Sequence, residues 1–474
     1  MRSLVWFKRD LRINDNAALY HGAKFATNGV VGLFIITPQQ WIQHNEANCK
    51  VNFWLQNLEV LSQELGKLNI PLLIKQCNTF QEVSVIVTST AKENTCSKLF
   101  FNKEYEVNET RRDLDTTNLC AAENIDAEQF HDRPIVPPDQ IQTKDGRYYS
   151  VFTPYKKVWK TKFQDYCDTF PKPEKQAEIE VESSKIPTEI SGFKFLNNIS
   201  EFWEPGEKAA WDKLKQFSVG ISKYDNTRDI PMQKGTSLLS PYLAAGVLSA
   251  RRCLGMALDG SDDLPTGQGA LTWISELVWR DFYIHILVGF PKVSMNQPFK
   301  EYTNNIPWRS DSEELTAWKN GETGYPIVDA GMRQLNQTGW MHNRLRMITA
   351  MFLTKNLLID WRLGEQYFME KLIDGDLAAN NGGWQWSAST GTDSVPYFRI
   401  FNPFSQSKRF DSEGQFIKEM CPELEPIPAN KLHDPIKLTK AIEEHNVSYP
   451  EFIVNYKMSR ERALSSFKSL KTPK

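Results

Sequence analysis

The chain has little that would draw it to a membrane, a disulfide scaffold or a nucleoside triphosphate. No apolar run approaches the ~18 residues that span a bilayer. The opening MRSLVWFKRD carries charge too early for a secretory signal. Seven cysteines (Cys49, Cys77, Cys96, Cys120, Cys167, Cys253, Cys421) are scattered, odd in number and never spaced C-x-x-C. That argues for a reducing compartment and against a disulfide framework or zinc knuckle. A formal net charge of −2 gives no overall pull towards nucleic acid, so any DNA-binding face must be a local basic patch. Neither G-x-G-x-x-G nor G-x-x-x-x-G-K-[ST] occurs in the first half, which argues against a glycine-loop dinucleotide or triphosphate site. The expectation is a soluble, cytoplasmic protein without a membrane partner.

At 474 residues the chain is long enough for two domains and a core that could bury a cofactor. Buried strands are expected at Leu4 to Phe7, Val30 to Ile36, Pro71 to Ile74 and Lys98 to Phe101. Amphipathic helices are expected at Asn48 to Leu68, Phe80 to Glu93 and Asn108 to Glu123. This βαβα order implies an α/β domain over 1–130, a doubly wound, Rossmann-like parallel sheet with helices on both faces. Its ligand would sit at an edge or crevice. Residues 131–200, with PKPEKQAEIEVESSK, read as a partly solvated connector. From 201 to 474 helical spacing dominates, giving an all-α domain that ends in helices near Pro435 to Glu444 and Ser459 to Leu470.

The chemistry concentrates between Trp340 and Gln406. Leu345, Ile348 and Phe352 recur at helical spacing, yet His342, Asn343, Arg344 and Arg346 interrupt that face. A second helix from Trp361 should stop at Asp374-Gly375-Asp376. Asn380-Asn381-Gly382-Gly383 then suggests backbone that approaches a ligand closely and takes positive φ. If the next segment is helical, Trp384 and Trp386 point roughly 200° apart and serve different neighbours. An EF-hand reading of the acidic turn fails, because Ala378 falls at a ligand position, Ala379 at the invariant glycine and Gln385 at the twelfth position. No metal is therefore expected. In LTWISELVWRDFYIHIL, Trp273, Glu276, Trp279 and Arg280 share a broad helix face, costly to bury unless it lines a polar cavity. Gly235-Thr236-Ser237 ahead of an apolar run reads as a helix start with free N–H groups, suited to an anion or to ordinary capping. Ten of the fourteen tryptophans follow residue 200, and core packing alone could use them.

Four segments in order, LVWFKRDLRINDN (Leu4 to Asn16), TSLLSPYLAAGVLS (Thr236 to Ser249), ISELVWRDFY (Ile274 to Tyr283) and the 340–406 stretch, resemble the photolyase/cryptochrome family. Within it they are most similar to microbial class I cyclobutane pyrimidine dimer photolyases. The resemblance implies an FAD-binding helical domain, with Tyr224, Thr236, Ser237, Leu238, Leu239, Ser240, Trp273, Arg280, Arg346, Asp374, Gly375, Asp376 and Asn380 near the flavin. Leu238 departs from the polar or basic residue of many relatives. Asn380 matches the position facing flavin N5, with Arg346 placed to offset the charge of Asp374 and Asp376. Trp384, Trp361 and Trp308 match the family's electron-transfer chain. The resemblance implies that Glu276 hydrogen-bonds a damaged pyrimidine and that Trp279 and Trp386 line the lesion pocket with Tyr283, Asn343 and Met347. Arg228, Arg344 and Arg399 would supply the positive rim, with Arg280 beside the lesion. His44, Asn108 and Glu109 coincide with a 5,10-methenyltetrahydrofolate antenna site, although the expected lysine near Met295 is absent and only Lys292 lies close by.

The resemblance implies light-driven repair of cyclobutane pyrimidine dimers in UV-damaged DNA, by a monomer that associates with the nucleoid while bound. Base flipping is general to photolyases as a class rather than derived from this chain. A (6-4) photolyase is disfavoured because its paired histidines would fall at Asn343 and Met347. A signalling cryptochrome is disfavoured by Asn380 and the intact Trp279/Trp386 pair. A dark flavin oxidoreductase lacks a nicotinamide signature.

Overall fold

The computed structural model describes residues 1–195, 202–260 and 263–470; the end of the expected connector at 196–200 and the last residues 471–474 lie outside these. The chain forms two compact units that do not follow its linear order.

The first unit comprises Met1–Ser222, Ser237–Ser294 and Ile373–Ala378. Its centre is a five-stranded parallel sheet of β1 (Arg2–Phe7), β2 (Val30–Ile36), β3 (Leu72–Gln76), β4 (Cys96–Asn102) and β5 (Asp126–Phe130) in the order β3-β2-β1-β4-β5. Every residue of β2 is buried, as apolar runs covered on both faces require. Helices at Asn48–Gly66, Phe80–Glu93 and Val107–Ala122 follow the expected spans. The β5 edge strand and the Ala17–Phe25 helix were not expected. β5 reads DAEQF and none of its residues is fully buried, so it carries no apolar run to announce it. The chain winds from β1 to β2 and β3, then returns to the other side of β1 for β4 and β5. The carboxyl ends of β1 and β4 thus flank a switch point, where crossovers diverge and leave a crevice.

The expected connector is more ordered than its composition suggests. Phe152–Lys162 is a helix whose Tyr155 and Trp159 are fully buried, and Trp159 Nε1 donates to Asp281 Oδ2 at 3.0 Å. Phe152, Tyr155 and Trp159 fall at i, i+3 and i+7, an apolar stripe that the surrounding lysines obscure. The later Pro- and Glu-rich stretch has no regular helix or strand, in keeping with the expectation.

Two of the recognised segments meet within this unit. Arg12 pairs with Asp132 at 2.6 Å, and Arg251 pairs with Asp132 at 2.8 Å and Asp15 at 3.0 Å, all buried. Gly246 sits at φ +68° against the Arg9 carbonyl, where any Cβ would overlap it. Much of LVWFKRDLRINDN therefore serves a buried ionic joint with the segment after Ser237, since buried charges persist only when paired.

The second unit comprises Lys223–Thr236, Met295–Leu372 and Ala379–Lys474. It is helical, around a core that includes Trp318, Phe352, Trp361, Phe368 and Trp384. The Asn343–Met351 helix opens into a π-turn at Phe352–Leu357, followed by the Trp361–Lys371 helix. The terminal helices run Pro435–Glu444 and Tyr456–Lys468. One expectation is overturned: Asn380 to Gly383 lie inside the Leu377–Ala388 helix, and neither Gly382 nor Gly383 has positive φ. Intrinsic propensity costs ~1 kcal/mol per glycine in a helix, and tertiary packing overrides it here.

Candidate functional site

In the first unit, the carboxyl ends of β1 and β2 and the segment after β4 enclose an open space of about 550 Å³, partly continuous with solvent. Trp6, Trp41, Trp54 and Phe80 form its apolar walls, while Arg9, Glu46, Glu104 and Arg112 bring charge to it. His44 and Glu109 line it too, so two of the three expected antenna residues face one cavity. Asn108 reaches it indirectly, its Nδ2 lying 3.1 Å from His44 Nε2. Glu109 Oε1 lies 3.5 Å from His44 Nδ1, and its buried Oε2 has no hydrogen-bond partner among the described residues. Burial, then the charge of Glu106, raises the Glu109 pKa, while burial lowers that of His44. Both groups are thus pushed towards neutrality, and the contact is a polar one rather than an ion pair. The aromatic walls went unread because Trp6, Trp41, Trp54 and Phe80 come from separate elements that only the sheet topology gathers.

The Gln268–Gly289 helix carries the Trp-Glu-Trp-Arg face. Trp273 is buried, whereas Glu276, Trp279, Arg280 and Tyr283 are half-buried. Phe152 stacks on Trp279, with centroids 3.5 Å apart and planes 6° from parallel. This backing ring, absent from the sequence reading, fixes the indole as a platform. Lys156 stands nearby, its pKa lowered by burial, with Glu276 working against that shift.

The Asp374-Gly375-Asp376 turn ends the helical run as expected, and within its own unit it is held by residues distant in sequence. Arg133 pairs with both Asp376 and Glu106, Arg280 donates to the Arg133 carbonyl, and Lys50 Nζ donates to the Gly375 carbonyl at 2.5 Å. Burial works against the Asp376 charge, but Arg133, Arg9 and Arg280 outweigh it and hold the pKa below the usual carboxylate range. Arg133 bonds Asp376, and Arg346 Nε donates to the Met341 carbonyl at 2.8 Å. Around Thr236 the expected helix start is displaced. The next helix is only Ser240–Ala244, with Leu239 at its N-cap, and Leu238 adopts φ +52°. Five residues give a weak dipole, so any anion contact from Thr236 to Leu239 would rest on irregular backbone rather than on a helix end.

In the second unit, Trp361 and Trp384 are almost fully buried and Trp308 packs half-buried against the same core. Trp384 meets Phe368 edge-on at 4.9 Å and Trp318 at 6.0 Å. A Cβ at Gly364 would fall inside the Trp384 ring, so this glycine sets how closely the two helices approach. Trp386 is half-buried while Trp384 is buried, the opposed arrangement expected from their spacing. Asn380 Nδ2 donates to the Glu365 carbonyl at 2.9 Å and lies 3.4 Å from Glu365 Oε1. Burial raises Glu365 to about 7. Tyr224 is buried, with Arg228 5.3 Å over its ring. Arg344 pairs with Asp229 at 2.8 Å and covers Phe410 at 4.4 Å. Arg399 and Asn343 are exposed, and Met347 is half-buried.

Residues 3–175 match the family model described as "DNA photolyase", and residues 273–469 match "FAD binding domain of DNA photolyase". The chain is 42% identical to the deoxyribodipyrimidine photo-lyase of Escherichia coli K12, over 99% of both chains. A bacterial class III photolyase from Agrobacterium tumefaciens superposes with TM-score 0.89 at 32% identity, covering 100% of this chain and 98% of that one. An archaeal photolyase from Sulfolobus tokodaii, solved with two FAD molecules, superposes with TM-score 0.82 at 29% identity, over 99% and 100%.

Proposed function

The chain belongs to the DNA photolyase family, and from that premise we propose the roles its own residues play in splitting cyclobutane pyrimidine dimers in UV-damaged DNA. Bound reduced FAD supplies the light-driven electron for this reaction. The residues present fit such a group. Arg280 lies half-buried beside Arg133, and desolvation followed by that neighbouring charge lowers its pKa; an anionic ligand would relieve both. In the second unit the buried donors Asn381 Nδ2 and Trp384 Nε1 meet no acceptor among the described residues, and a Cβ at Gly383 would meet open space.

Tyr224, Thr236 to Ser240, Trp273, Arg280, Arg346, Asp374 to Asp376 and Asn380 hold the cofactor in this reading. Trp384, Trp361 and Trp308 pass electrons inward from the surface, in keeping with a half-buried Trp308 and buried Trp361 and Trp384. Trp279, Tyr283, Asn343, Met347 and Trp386 receive the flipped lesion, and Glu276 hydrogen-bonds it. Arg228, Arg344 and Arg399 contact phosphates, so binding should weaken with salt. The α/β cavity takes a second, planar chromophore that gathers light, with 5,10-methenyltetrahydrofolate the expected occupant. The archaeal relative solved with two FAD molecules supports a second cofactor in this fold. Among the described residues no helix is long and apolar enough to cross a membrane. The protein acts as a cytoplasmic monomer that joins the nucleoid when on DNA.

The observation that carries the lesion assignment is the half-buried Trp279 indole, braced by Phe152 beside Glu276. Stacking contributes ~1–3 kcal/mol per base. Trp279→Ala should therefore weaken binding to dimer-containing DNA about 10- to 100-fold while changing binding to undamaged DNA little. Equal losses on the two DNAs, read by fluorescence anisotropy, would remove the role.

A further inference from the structure

Lys50 is a lysine with almost no exposure, on the Asn48–Gly66 helix of the first unit. Its ammonium pairs with Glu46, lies 4.9 Å over the Trp54 ring and donates to the Gly375 carbonyl at 2.5 Å. Glu46 and Trp54 are walls of the α/β cavity. Gly375 is the middle of the acidic turn proposed to flank the flavin. A second chain of buried groups runs in parallel. Arg9, on the cavity wall, pairs with Glu104 and with Glu106 at 2.6 Å; Glu106 accepts from Arg133 at 3.0 Å; and Arg133 pairs with Asp376. The two routes end on adjacent residues of one turn.

We propose that Lys50 is a positioning residue that couples the two ligand sites, so that a planar chromophore in the α/β cavity strengthens retention of FAD. The proposal rests on the flavin and second-chromophore assignments above. The cause is ordering. A ligand packed against Trp54 and Glu46 restricts the two groups that hold the ammonium, and the ammonium then holds the Gly375 carbonyl. The turn consequently loses less freedom when FAD binds, which is positive coupling without a change of shape. Such coupling must be reciprocal, and contiguity alone does not establish it.

The test uses FAD-loaded protein, with 5,10-methenyltetrahydrofolate and riboflavin 5′-phosphate as separate probes. FAD release in mild urea is followed by rapid filtration and chromatography of the FAD retained on the protein, with and without saturating probe. A bound probe should slow release at least about fivefold, and FAD-free protein should bind that probe more weakly than FAD-loaded protein does. Glu46→Gln loosens the cavity end of the bridge, and the double variant Lys50→Met with Glu46→Gln removes it without stranding a charge. In both, the ratio of release rates should fall to within about twofold of one. Each variant's probe-free rate is its own baseline, so a general loss of stability does not move the ratio. A wild-type ratio of one, variants that keep the wild-type ratio, or FAD-loaded protein that binds neither probe would overturn the coupling and leave the flavin assignment standing. Wild-type protein that holds no FAD would overturn both.

Discussion

Asn380 is held by Glu365, whose backbone carbonyl accepts from its Nδ2 at 2.9 Å and whose carboxyl oxygen lies at 3.4 Å, a partner not visible in the sequence. Glu365 lies fifteen residues earlier on a different helix, and its role depends on how those helices pack. Burial raises Glu365 to about 7, above the ordinary value of 4.5, so the folded state keeps a proton that the unfolded chain releases first. Stability from this group is therefore intact below about pH 4.5 and declines as pH rises towards 7. Glu365→Gln abolishes that decline. The variant's thermal stability relative to the parent should rise between pH 4.5 and 7, by on the order of 3 kcal/mol, and then level off. A pH-independent difference in melting curves would count against the buried, protonated carboxyl. Trp308 offers a separate residue-scale test. Trp308→Phe should slow light-driven reduction of oxidised flavin while sparing repair by enzyme already reduced. Equal loss of both activities would contradict the electron-chain assignment. Trp273 to Arg280 lie on the element expected of them while Thr236 and Asn380 do not, and the partners Phe152, Arg133, Glu365 and Lys50 come from remote sequence and carry no local signal.

At the scale of elements, periodicity was most informative where one face is buried. The Phe80–Glu93 and Pro435–Glu444 helices have the bounds expected of them, because their apolar spacing and caps agree. It was least informative at edges and at glycines. β5 is a half-exposed edge strand with little apolar content, and the paired glycines after Asn381 suggested positive-φ backbone but lie within a helix. Gly364 shows the opposite use of the residue. It admits the Trp384 ring onto the Trp361–Lys371 helix, and a methyl group there must displace the indole. Gly364→Ala should lower stability by about 1–3 kcal/mol despite alanine's better helix propensity. It should also alter Trp384 fluorescence. An unchanged melting temperature would mean that the two helices are free to separate.

The whole molecule departs most from a linear reading. Its compact units interleave along the chain, so the short Ile373–Ala378 segment joins the sheet-bearing unit while both flanking helical segments belong mainly to the other. The βαβα order was enough to specify the parallel sheet and its crevice, since such crossovers permit few arrangements. Interleaving was not legible because it depends on buried ionic joints such as Arg12–Asp132–Arg251, whose members are more than a hundred residues apart. The central claim concerns light and damaged DNA together, and one experiment addresses both. FAD-loaded, reduced protein is mixed with UV-irradiated oligothymidylate, divided between darkness and near-UV or blue light, and assayed by chromatography for restored thymidine monomers. The account predicts recovery in the illuminated portion alone, reduced when Glu276 is replaced by alanine. Recovery in darkness, or none under illumination by protein that holds reduced flavin and binds the damaged strand, would contradict it.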